Sequence, residues 1–131
     1  MKSFLTLASA VLGALTLTSC FASQEPTCSY SSYAPIVRVV GPKVVGVNQA
    51  AVFVLGYVLG ADCGTFSSIT AVPNGNVQQI GVMGLYNGCA CNQTTTVLQT
   101  SYQFQATTPG TYYLQFLATN NTFITDTVVV K

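Results

Sequence analysis

Five cysteines and three carboxylates are the residues of this chain that could do chemistry, and no histidine stands with them. Cys89-Ala90-Cys91 is the densest group. Two thiolates so placed could hold a soft metal such as Cu(I), or work as a redox pair with a lowered pKa. The surrounding sequence supports neither chemistry. No Lys or Arg lies nearby to stabilise a thiolate, and Met83 is the only methionine after the first residue. The bland alternative is structural. Cys28, Cys63, Cys89 and Cys91 make an even set, which in an exported domain reads as two disulfides. A Cys89–Cys91 bond is disfavoured, because residues two apart in an extended chain do not bring their Cβ atoms within the usual ~3.8 Å. Cys63 is therefore expected to pair with Cys89 or Cys91, and Cys28 with the other.

The carboxylates are Glu25, Asp62 and Asp126. Glycoside hydrolysis needs two of them held about 5–9 Å apart. Glu25 precedes the strand-forming part of the chain, Asp62 falls at a strand end, and Asp126 sits within the last strand. They are expected to be solvated loop and edge charges, with Asp126 discouraging further strands from adding to its edge. Without histidine, a serine–histidine–acid triad and the histidine-containing zinc sites are excluded. No catalytic residue, no metal site and no cofactor is expected, and the chain reads as non-enzymatic.

Charge is scarce throughout: four Lys and Arg against three Asp and Glu in 131 residues. Nucleic-acid binding needs a basic patch that releases counterions from phosphates. Arg38, Lys43 and Lys131 are too few and too scattered to form one. Solubility falls to Thr, Gln, Asn and Ser, and a surface so nearly neutral is prone to self-association.

The elements that must position these residues are strands. From Ile36 onward Val, Ile, Thr, Tyr and Phe dominate, with Gly, Pro and Asn at short intervals, and no helical apolar period appears. Strands are predicted at 36–41, 43–47, 50–60, 65–72, 77–86, 94–107, 111–119 and 123–131. The 50–60 run, "AAVFVLGYVLG", is apolar at nearly every position and predicts a central strand covered on both faces. "PNGN" (73–76) and "NN" (120–121) are turn signals. In "TYYLQFLAT", Tyr112, Leu114 and Phe116 share one face. Seven or eight short strands so spaced predict an all-β sandwich.

Ahead of the strands, Lys2 and the apolar run "FLTLASAVLGALTL" (4–17) make a secretory signal peptide, too short and too polar for a spanning helix. Leu17-Thr18-Ser19-Cys20 resembles the lipobox of bacterial lipoproteins. The resemblance implies that residues 1–19 are removed and that Cys20 becomes the acylated first residue, the lipid attachment site. It also implies a lipid bilayer as partner. Several acyl chains are needed, since one alone holds only marginally. Residues 20–35, "CFASQEPTCSYSSYAP", read as a polar tether, with residues 36–131 as the folded domain.

Gly110 and Tyr112 in "TPGTYYLQF" resemble the corner of immunoglobulin-like domains, where a Tyr hydroxyl bonds back across the turn before the penultimate strand. That resemblance implies an immunoglobulin-like antiparallel β-sandwich of about seven strands. "CGTF" (63–66), "GCAC" (88–91) and "PGTY" (109–112) resemble small exported lipoproteins of Bacteroidota. This implies an outer-membrane location on the periplasmic or surface face, and no reaction. Asp126-Thr127-Val128 resembles the O-glycosylation acceptor of the same group, which implies Thr127 as the modified residue. Seven tyrosines offer an aromatic strip suited to sugars or peptides, though strand packing accounts for most of them.

Overall fold

The computed structural model describes residues 27–131. They form nine strands: β1 Ser29–Ala34, β2 Ile36–Val40, β3 Val44–Val45, β4 Ala51–Val58, β5 Gly64–Asn74, β6 Val77–Asn87, β7 Val97–Phe104, β8 Gly110–Leu117 and β9 Phe123–Val130. β2, β4 and β7 make one sheet in that order, and the other six make the second. The molecule is an all-β sandwich, as expected. Its larger sheet is not purely antiparallel, however: β3 runs parallel to β9, and β6 parallel to β8.

The alternation of side chains puts the core between the sheets. Phe53 and Leu55 of β4, Ile80 and Val82 of β6, Leu114 and Phe116 of β8, and Val128 of β9 are buried. Phe53 and Phe116 meet across the layers with ring centroids 5.8 Å apart, and Tyr102 of β7 meets Phe116 edge-on at 6.3 Å. Such offset and edge contacts suit the ring quadrupoles. β4 is central, between β2 and β7, but it is covered on one face only. Val52 is 45% and Val54 38% exposed. The reason is the layer count: a two-layer sandwich covers one face of each sheet, and the valines on the other face meet solvent.

The β5–β6 hairpin closes on Gly75 and Asn76, with Asn74 opposite Val77. Gly75 has φ +62°, the left-handed value that a type II′ hairpin requires at its first central position. Pro73 lies inside β5 and is tolerated because, among the described residues, β5 pairs with β6 alone. At the other hairpin, Asn120 and Asn121 have φ 58° and 56°, and the Thr122 amide donates to the Thr119 carbonyl at 3.2 Å. Asn accepts this conformation more readily than other non-glycine residues.

Two further expectations are corrected. The tether does not reach Pro35: Ser29–Ala34 is a strand, registered from Ser29 opposite Asn87 to Ala34 opposite Val82. Its small polar residues carry no apolar stripe, so pairing to β6 rather than burial defines it. Pro35, with no N–H for a ladder, marks where the chain passes from one sheet to the other. Asp126 is not a solvated edge charge. It is 8% exposed, on the same face of β9 as Val128, and forms an ion pair with Lys43. Its Oδ1 also accepts the Thr127 amide at 2.8 Å. The partner arrives from the β2–β3 connection, far away in sequence.

At the β7–β8 turn the Tyr112 hydroxyl donates to the Thr108 carbonyl at 2.8 Å, and its ring packs against Phe104 at 5.2 Å. This is the corner expected from Gly110 and Tyr112. Tyr112→Phe removes the bond and keeps the packing, so unfolding free energy should fall by about 1 kcal/mol. Urea denaturation checks it: the midpoint drops with an unchanged m-value, whereas an unmoved midpoint assigns the bond no net contribution.

Candidate functional site

The cysteines form two disulfides, Cys28–Cys89 and Cys63–Cys91, with Cα atoms 4.9 and 5.6 Å apart. Cys89 and Cys91 therefore belong to different bonds, and the expected pairing is resolved. In this oxidised state neither offers a thiolate to a metal or a substrate. Donor atoms of Asp62, Cys63 and Cys91 do lie within 4.8 Å of one another, but those two sulfurs are bonded together. Asp62 is instead engaged by Asn92. The Asn92 amide donates to one carboxylate oxygen at 2.9 Å and its side-chain amide to the other at 3.0 Å. These bonds, the side-chain one first, hold the Asp62 carboxyl below the usual carboxylate range. Each described carboxylate is thus committed to its own partner, Asp62 to Asn92 and Asp126 to Lys43. Thr127 lies exposed on β9. Cys20 and Glu25 lie outside the described residues.

The arrangement best suited to hold a ligand lies elsewhere, on the outer face of the larger sheet. β5 runs along one whole edge of β6. The other edge is divided: β8 pairs with Val77–Ile80, and β1 with Val82–Asn87. Gly81 sits at the seam. Two incoming strands meet end to end there, and a hollow of about 130 Å³ opens between them, floored by Ile80 and Gly81. Tyr33 of β1, Phe123 of β9 and Leu117 of β8 wall it, with Thr70 and Gln79 supplying polar atoms. A second hollow of about 260 Å³ adjoins it on Tyr33 and Leu117 and runs to Asn120 and Asn121. Among the described residues, no charged side chain lines either one.

The floor depends on Gly81 lacking a side chain. A Cβ there would lie 2.6 Å from the Tyr33 ring and 3.0 Å from the Thr70 hydroxyl. The Tyr33 ring thus lies across Gly81, and it remains 52% exposed. Phe123 is 40% exposed. Gln79 donates its amide to Gln115 Oε1 at 3.2 Å, across the parallel β6–β8 pair. Sequence pattern alone points to exposed tyrosines. It does not single out Tyr33, because the seam exists only once β1 is paired. Gly81 and Gly84 inside the apolar β6 run were the available signal, since a Gly in a strand marks a close approach.

The Cys28–Cys89 bond fixes the far end of β1, where Ser29 faces Asn87, and the Gly88 amide donates to the Cys28 carbonyl at 2.8 Å. It closes a separation of 61 residues, worth about 4 kcal/mol in the chain-entropy model. Replacing Cys28 and Cys89 together by Ala should cost about 2–4 kcal/mol. It should also speed amide exchange in Ser29–Tyr33 while the β8–β9 ladder keeps its protection. Hydrogen exchange read by mass spectrometry decides, and unchanged protection of β1 contradicts the role given to the bond. Comparison with protein-family models, with characterised proteins and with solved structures finds no match to this chain.

Proposed function

We propose that this chain is a non-enzymatic binding module of a bacterial cell envelope, exported and tethered by an acylated Cys20, and that it holds a neutral sugar chain across the seam. One observation carries the ligand assignment: two half-exposed aromatic rings, Tyr33 and Phe123, flank a floor on which no charge is placed. Sugar rings offer apolar C–H faces that stack on aromatic rings, and hydroxyls that bond neutral amides and hydroxyls. Thr70, Gln79, Asn120 and Asn121 supply those groups beside the rings. A charged ligand would find no counter-charge there. Shallow hollows with few polar groups favour modest affinity, which an array of tethered copies would multiply. The anchor rests on Leu17-Thr18-Ser19-Cys20 and the apolar run before it. Against the thiol-based alternative, the sulfurs of Cys89 and Cys91 are both held in disulfides.

A glycan array followed by calorimetric titration of the oxidised protein tests the assignment. Neutral oligosaccharides should bind. Tyr33→Ala and Phe123→Ala should each weaken binding about tenfold, or ~1.4 kcal/mol. Gly81→Ala should do likewise by displacing the Tyr33 ring. Tyr113→Ala, exposed but lining neither hollow, should change nothing. Binding confined to acidic glycans, or indifferent to Tyr33, refutes the assignment.

A further inference from the structure

Among the described residues, β7 is a strand with one partner, as are β1, β2, β3 and β5. An open edge offers a row of backbone groups to any passing strand, and proteins interrupt such edges. Here the other four are interrupted. β1 is closed at its ends by Cys28 and Pro35. β2 breaks register between Ile36 and Arg38 and carries the Arg38 charge. β3 has two residues. β5 breaks register between Phe66 and Ser68 and contains Pro73. β7 has none of these. Its eight residues, "VLQTSYQF", hold continuous register on β4 and contain no proline and no charge.

We propose that the β7 edge is a self-association surface, pairing antiparallel with β7 of a second copy about a two-fold axis at Ser101. The edge itself requires an extended strand. The sequence of β7 says which one. Opposed residues in an antiparallel pair lie on the same face, so the axis falls on a residue, Thr100 or Ser101. With Ser101 on the axis, each side chain from Leu98 to Phe104 meets a match. Leu98 faces Phe104 of the second copy, Gln99 faces Gln103, Thr100 faces Tyr102, and Ser101 faces itself. The Gln99–Gln103 pairs repeat the amide contact that Gln79 and Gln115 already make across adjacent strands of one molecule. Leu98, on the core-side face and 38% exposed, gains an apolar cover. No like charges oppose, and the two three-stranded sheets become one of six. The outward valines of β4, Val52 and Val54, then flank a continuous surface.

Sedimentation equilibrium of the full chain in density-matched detergent, where the micelle adds no apparent mass, tests this. The chain should reach twice its own mass as concentration rises and dissociate on dilution. Ser101→Lys and Ser101→Glu, each alone, should weaken the dimer at least tenfold by placing like charges across the axis. Mixed, the two variants should dimerise again, which a misfolded protein could not do. Should near-UV circular dichroism show either variant to be disturbed, the double variant Gln99→Lys/Gln103→Lys, alone and mixed with Gln99→Glu/Gln103→Glu, supplies the same test. A wild-type chain that stays monomeric up to its solubility limit overturns the proposal. So does a dimer indifferent to charge at Ser101, or a mixture that fails to recover.

Discussion

The divided edge of β6 is the constraint on which the rest of this structure depends. One strand of eleven residues takes β8 along its first part and β1 along its last, in opposite directions. Two strand ends must therefore meet at Gly81. That meeting makes the hollow, requires the glycine and sets the Tyr33 ring over it. It also explains why β1 needs covalent help. Fixing a residue's backbone costs about 1–2 kcal/mol, and of the six residues in β1 only Ala34 is buried. Ladder hydrogen bonds and one stacked pair, Tyr30 on Tyr86 at 4.8 Å, offset part of that. The Cys28–Cys89 bond limits the freedom that the strand would regain on leaving.

The opposite sheet follows a different economy. Three strands suffice to cover the core, because Phe53 from β4 and Tyr102 and Phe104 from β7 reach across to Phe116 and Tyr112 of β8. The cost is an outer face of half-exposed valines and the open edge of β7. With five charges among the described residues, two of them paired as Lys43 and Asp126, the surface has little electrostatic means of keeping copies apart. An uninterrupted edge in such a molecule is conspicuous beside four interrupted ones.

Local features were legible in the sequence. The turn at Pro73–Asn76, the alternation of Leu114 and Phe116, and the corner joining Tyr112 to Thr108 each lie within a few residues, where backbone preference and side-chain period decide. The cysteine pairing was legible as far as steric reach could take it, which excluded Cys89–Cys91 and no more. What was not legible depends on partners distant in sequence. β1 lacks the apolar period of a strand and becomes one only against β6. Asp126 looks like an edge charge until Lys43 is brought to it. The run in β4 looks two-sided because composition counts valines without knowing that its sheet is the outer layer of two. The parallel β6–β8 pairing, and hence the seam, belongs to the same class.

As proposed, the cell exports this oxidised sandwich and ties it to a membrane, so that the seam is presented outside the cytoplasm. Intact mass of the protein taken from its native membrane, before and after reduction and alkylation, tests it most directly. The expected chain begins at Cys20 and carries acyl chains, with Cys28, Cys63, Cys89 and Cys91 alkylated only after reduction. An unacylated chain that begins elsewhere, or thiols that alkylate without reductant, would contradict it.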